Sequence, residues 1–193
     1  ERDVSGYQQV LANTLEDLGR LSKIIENLFI LAKADSGRYE LHKERMNLHP
    51  VITDIVEQLK LIAEPKNISV LMEKMEDAFT DGDELLIRML LLNLVDNAVK
   101  YTPSNGTIKV SLGKDNGCVK IVVEDNGIGI SQEDIPHIFD RFYRSNNARN
   151  ANHDGVGLGL SICQWIVKSH QGTITVKREL QKGSAFTVIL PTC

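Results

Sequence analysis

The start of the chain carries a hydrophobic seam that one helix cannot bury by itself. Val4, Tyr7, Leu11, Leu18, Leu21, Ile25, Leu28 and Ala32 follow a 3-4 spacing broken only at Thr14. The seam is sustained over about four heptads. Val10, Leu15, Ile24, Phe29 and Leu31 widen it. A stripe of that width suits a four-helix bundle better than a two-stranded coil. The pattern predicts a long helix whose partner helices come from another chain or from upstream sequence. The alternative is a helix that folds back on its own domain. Asp35-Ser36-Gly37 ends it with turn residues.

Beyond the turn the periodicity changes repeatedly. Strand material is expected at 39–45, an amphipathic helix at 50–62 and a strand at 68–72. Asp81-Gly82-Asp83 reads as a turn and N-cap for a strongly apolar helix ending near Tyr101. Strands at 108–112 and 119–124 flank Asp115-Asn116-Gly117, a hairpin-type turn. Residues 130–154 show little periodicity after Tyr143. A helix is expected at 155–170, then strands at 173–178 and 185–190. Helices mixed with hairpins give an α+β fold rather than a doubly wound one. At 193 residues and 42% hydrophobic content, the chain suffices for one cored domain plus a helical appendage.

Charge and cysteine usage narrow the function. A net charge of -4 argues against a nucleic-acid partner, which needs a basic surface. No apolar run approaches the roughly 18 residues of a membrane span, and Glu1-Arg2-Asp3 is not a signal-peptide opening. Cys118, Cys163 and Cys193 show neither metal spacing nor a disulfide framework, so a reducing cytosol is the expected compartment.

The chemistry-bearing residues fall in four clusters. Asn93, Asn97 and Lys100 share one face of the apolar helix. They are either its solvent face or a magnesium and phosphate site, since an amide oxygen is a hard ligand and a lysine neutralises phosphate. Asp125-Asn126-Gly127-Ile128-Gly129 is either another hairpin turn or a close approach of backbone to a flat ligand, with the carboxylate accepting from an exocyclic amino group. Phe139-Asp140-Arg141-Phe142-Tyr143-Arg144 either clamps a flexible loop or docks its phenylalanines on the core. Gly155-Val156-Gly157-Leu158-Gly159 opens a helix and can present N–H groups to an anion. It is not the dinucleotide fingerprint, and no P-loop pattern occurs.

The order of these clusters resembles the N box, first glycine box, F box and second glycine box of the histidine-kinase ATP-binding domain. That domain belongs to the Bergerat superfamily with gyrase, heat-shock chaperone and mismatch-repair ATPases. Ser169-His170-Gln171-Gly172-Thr173-Ile174 and Gly183-Ser184-Ala185-Phe186 are also similar to the family. The resemblance implies a two-layer α/β sandwich, a mixed sheet packed on helices, over 37–193. Residues 1–36 would be the second helix of the dimerisation and histidine-phosphotransfer hairpin.

By the same resemblance Asn97 ligates Mg²⁺ with Asn93 supporting it, and Lys100 and Tyr101 face the phosphates and sugar of ATP. Asp125 binds the adenine amino group, with Gly127 and Gly129 shaping that pocket. Residues 130–154 form the ATP lid, with Ile130 and Phe139 among its ATP-binding residues and Arg144 reaching phosphate. Gly155, Gly157, Leu158 and Gly159 close over the triphosphate. Gln181 and Ser184 depart from the family's Gly-x-Gly-Thr, and no ligand contact is assigned there. His42, His49, His137, His153 and His170 lie in no Ser-His-Glu-like context, so the catalytic acceptor and its neighbouring base are expected on an upstream helix. The implied partners are a second copy, through the helix bundle, and a response-regulator receiver domain. The implied setting is the cytoplasmic side of a membrane anchor. Clamp-type ATPases and serine-directed kinases of the superfamily are disfavoured, because both place a Glu where this chain has Asn93.

Overall fold

The computed structural model describes residues 4–145, 155–179 and 183–192. The chain divides into two compact units, Glu1–Glu40 and Leu41–Cys193. The first is a single helix, α1 (Val4–Asp35). It ends where Gly37 takes a φ of +65° and its N–H donates to the Ala34 carbonyl. Six residues of the seam, Tyr7, Leu11, Leu18, Leu21, Ile25 and Leu28, are 43–65% exposed. An apolar stripe of this length left to water marks an interaction face.

The second unit runs β1 (Glu44–Asn47), α2 (Leu48–Ala63), a 3₁₀ turn (Glu64–Lys66), β2 (Ser69–Met75), β3 (Phe79–Gly82) and α3 (Glu84–Tyr101). It continues with β4 (Thr107–Asp115), β5 (Cys118–Asp125), α4 (Gly159–Ser169), β6 (Thr173–Glu179) and β7 (Gly183–Pro191). Five strands form one mixed sheet in the order β2-β4-β5-β7-β6. The β2–β4 pair is parallel and the others are antiparallel. Alternate residues of β4, β5 and β7 are fully buried, among them Ile108, Leu112, Ile121 and Val188. They meet the apolar faces of α2, α3 and α4, whose Ile52, Leu90 and Ile162 are equally buried. Each such side chain contributes roughly 1.5–3 kcal/mol relative to exposure.

Three expectations need correction. The early strand is Glu44–Asn47, later than expected at 39–45. Asp81 and Gly82 are not a turn; they end β3, which pairs antiparallel with β1 through Arg45↔Asp81. Strands of four residues are too short to show alternation, and their pairing is not local. The last helix begins at Gly159 rather than 155. Gly157 has a φ of +78°, which an α-helix cannot contain.

Helix α3 is fixed at both ends. Asp83 caps its start, accepting from the Leu86 N–H at 3.3 Å, while its second oxygen accepts from the His42 N–H at 3.2 Å. Lys66 Nζ donates to the Val99 carbonyl at 2.8 Å, near the negative end of the helix. The Asp83 N–H donates to His170 Nε2 at 3.0 Å, and His170 Nδ1 lies 2.8 Å from the Ile166 carbonyl. Nδ1 therefore carries the proton, and the buried imidazole ties the end of α4 to the start of α3.

Burial holds His170 below the usual histidine range, with Lys43 adding to the effect and the Ile166 carbonyl and Asp83 opposing it. A histidine with a depressed folded value leaves the unfolded chain binding more protons. Its contribution is complete above about pH 6.5, the unfolded value, and is lost as pH falls below it toward the folded value. Urea denaturation is therefore expected to show stability falling from pH 7.5 to 5.5. The fall should be smaller in His170→Gln, and equal slopes would remove His170 as its source.

Candidate functional site

Helix α3 brings an amide-rich face to the site. Asn93 is 9% exposed, and its Nδ2 donates to the Met89 carbonyl at 2.9 Å. That bond orients the amide, because only one of its ends is a donor. The Oδ1 end faces Gly159, where an added Cβ would stand 2.9 Å from it. One turn on, Asn97 is half-exposed and makes no side-chain hydrogen bond within the described residues. Lys100 follows, with its Nζ 2.7 Å from the position of a Cβ on Gly155. The N-box face and the second glycine box, some sixty residues apart in sequence, thus lie against each other.

At the end of β5, Asp125 is 6% exposed. Its Oδ1 accepts from the Gly127 N–H at 2.8 Å and its Oδ2 from the Ser184 hydroxyl at 2.5 Å. Burial pushes Asp125 above the usual carboxylate range, while the bonds from Ser184 and Gly127 pull the other way. A carboxylate has about four acceptor positions. Two are used by the Gly127 N–H and the Ser184 hydroxyl, which leaves acceptor capacity for a ligand donor. The sequence alone assigns Ser184 no part; its hydroxyl is what positions the carboxylate. The pairing Asp125↔Ser184 across β5 and β7 sets this up. A hydroxyl directly after the glycine that opens the last strand was the signal available.

Gly127 sits against the last carbonyl of α3. A Cβ there would meet the Tyr101 oxygen at 2.3 Å, and the next N–H, of Ile128, donates to that oxygen at 3.2 Å. Only glycine allows the first glycine box to touch Tyr101 this closely. Gly129 follows with a φ of +69°, and Ile130 after it is half-buried. Burial raises the Tyr101 hydroxyl above the usual tyrosine range, with the Arg144 charge opposing that shift and Asp96 adding to it. Arg144 therefore lies within electrostatic reach of the end of α3.

In the F box the buried apolar residue is Ile138, while Phe139 is half-buried and Phe142 is 57% exposed. The region is a series of turns rather than the small helix of the docking alternative. Leu158 is buried and is the N-cap of α4, and among the described residues no side-chain cap hydrogen bond closes the start of that helix. Residues 146–154 of the expected lid, with His153, lie outside the described residues, as do Gln181 and Cys193.

Together these elements bring two side-chain amides, one lysine and one buried carboxylate up against the glycine-rich turns. Such a set suits an anion at one end and a hydrogen-bond donor at the other. That is the chemistry of a nucleotide site. The family model described as histidine kinase-, DNA gyrase B-, and HSP90-like ATPase matches residues 82–193, and the chain belongs to that family. Sensor histidine kinase CusS of Escherichia coli strain K12 is 33% identical over 192 residues, covering 98% of this chain and 39% of CusS. Sensor protein CiaH of Streptococcus pneumoniae is 34% identical over 189 residues, covering 97% of this chain and 42% of CiaH. The chain therefore spans about two fifths of these relatives. The solved histidine kinase ThkA, in complex with response regulator protein TrrA, aligns over the whole chain and 53% of its own, with a TM-score of 0.76 and 25% identity.

Proposed function

We propose that this chain is the ATP-binding catalytic core of a sensor histidine kinase. It transfers the γ-phosphoryl group of ATP to a histidine on an upstream helix, for relay to an aspartate of a response regulator. Leu41–Cys193 holds the nucleotide. The long helix of Glu1–Glu40 is half of a dimerisation hairpin, and its exposed seam is covered by a second copy and by the acceptor helix. A membrane anchor outside this stretch would leave the core on the cytoplasmic side.

The observation that carries the reading is the orientation of Asn93. Its donor end is tied to Met89 and its oxygen faces the second glycine box. A Glu at this position would serve as a base for water or a hydroxyl. Asn93 cannot, so the acceptor must be a nucleophile that needs no base from α3, as a neutral imidazole is. Phosphoryl transfer is mainly positioning and charge stabilisation, which this site supplies without a base.

Asn97, with Asn93 behind it, fits a magnesium ion held jointly with phosphate. Among the described residues no cluster of three or more His, Cys, Asp or Glu could hold a metal alone. Two amide oxygens bind Mg²⁺ well only when phosphates complete the shell. Bound there, the ion would supply charge neutralisation across the phosphates. Lys100 adds a fixed positive charge, Asp125 selects the base, and the N–H groups at the start of α4 receive phosphate oxygens.

The test is radiolabelled ATP with Mg²⁺, given to a longer chain that includes the upstream helix. The expected product is a phosphoprotein stable in base and lost in acid, as a phosphoramidate is. Acid-stable label on Ser or Thr would favour a serine-directed kinase. Rapid ATP turnover without phosphoprotein would favour a clamp ATPase.

A further inference from the structure

A backbone clasp joins the F box to the second glycine box. The Phe142 N–H donates to the Gly157 carbonyl at 2.9 Å. A Cβ on Gly157 would stand 2.6 Å from the Tyr143 carbonyl and 2.7 Å from the Phe142 carbonyl carbon. Phe142 itself has a φ of +62°, a conformation L side chains rarely adopt. Its ring is exposed, so its own packing does not hold it there. The fixing comes from its neighbour. Tyr143 Oη donates to Asp134 Oδ1 at 2.6 Å. Asp134 is fixed in turn, since its Oδ2 accepts from the Ser131 hydroxyl at 2.6 Å and its N–H donates to Ser131 Oγ at 3.2 Å. The His137 ring lies 5.4 Å from the Tyr143 ring and pairs with Asp140 at 2.9 Å.

We infer that Tyr143, held by Asp134, is a positioning residue that sets the backbone of Gly157 and with it the N–H groups opening α4. Gly157 is two residues before the first residue of α4 and shares the clasp with Phe142 and Tyr143. A rotation of Tyr143 shifts the carbonyl packed on Gly157, and so re-aims the turn entering the helix. The inference rests on the reading that this turn receives nucleotide phosphates. It adds a residue whose hydroxyl touches no ligand yet governs affinity for the phosphate end.

The test is Tyr143→Phe in this chain, which removes one hydroxyl and keeps the ring. Calorimetry with ATP, ADP and adenosine separates the two ends of the ligand. The loss expected is about three- to tenfold for ATP and ADP, the scale of one net hydrogen bond. Adenosine affinity should not change. Asp134→Asn keeps an oxygen to accept from Tyr143 and should preserve most of the affinity that Tyr143→Phe loses. Faster hydrogen exchange at the Phe142 amide in Tyr143→Phe is expected without any nucleotide. If Tyr143→Phe weakens all three ligands alike, or none, the positioning role is overturned. If the unaltered chain binds ATP no better than adenosine, the phosphate reading itself fails, and the inference with it.

Discussion

Asp125→Asn is expected to weaken ATP binding by about one to two decades, since a hydrogen bond to a charged group is worth roughly 1.5–3 kcal/mol. The carboxylate is held by Gly127 and Ser184 with acceptor capacity remaining for a ligand donor. An amide at this point has one acceptor oxygen and one donor nitrogen. The nitrogen would find an acceptor only in the Ser184 hydroxyl, which would have to turn, since neither the Gly127 N–H nor the exocyclic amino group of adenine can accept from it. Base selectivity should change with affinity. Inosine triphosphate carries a carbonyl where ATP carries that amino group, so the unaltered chain should prefer ATP and Asp125→Asn should lose much of the preference. Because burial raises Asp125, ATP affinity should also fall with decreasing pH as the carboxyl takes up a proton. Calorimetry over a pH series, with circular dichroism to establish folding, measures all three. Undiminished ATP affinity in a folded Asp125→Asn chain would remove the adenine assignment.

Local chemistry was the legible part of this fold. Asn116 and Gly117 have φ values of +51° and +75°, both positive as a type I′ hairpin turn requires, and their residue types announce it. Helix α3 was legible from its apolar run and from Asp83, whose side chain does cap it. The short pair β1–β3 was not, because four residues set no period and the partners are far apart in sequence. Gly155 to Leu158 read as helix only because a helix follows; glycine's low helix propensity already weighed against that.

The site was legible in its residue types and less so in their connections. Asn93, Asn97 and Lys100 belong to one helix, so their common face follows from spacing alone. The bond from Ser184 to Asp125 spans 59 residues and depends on strand register, which no local pattern encodes. The contact of Gly159 with Asn93 likewise exists only once α3 and α4 pack side by side. Tyr143 and Asp134 are nine residues apart, but the turns between them have no regular period to place one against the other.

Asn97→Ala should separate catalysis from stability more sharply than any other change in this chain. Asn97 is half-exposed and has no side-chain partner within the described residues, so truncation breaks no hydrogen bond among them. Alanine is also the better helix former, by up to about 0.7 kcal/mol in a helix interior. The melting temperature is therefore expected to stay level or rise slightly. Phosphoryl transfer should fall by about three decades or more, the scale on which single charge-stabilising groups act in such reactions. Magnesium dependence provides an independent readout. If Asn97 holds Mg²⁺ as proposed, ATP affinity in the unaltered chain should increase on adding the ion, because an amide oxygen binds it well only beside phosphate. In Asn97→Ala that increase should largely vanish, while affinity for adenosine stays the same. Measured by calorimetry with and without Mg²⁺, and by transfer of radiolabel to the acceptor helix, the variant would be stable, base-selective and nearly inactive. A variant that kept both its magnesium response and its transfer rate would move the ion away from α3.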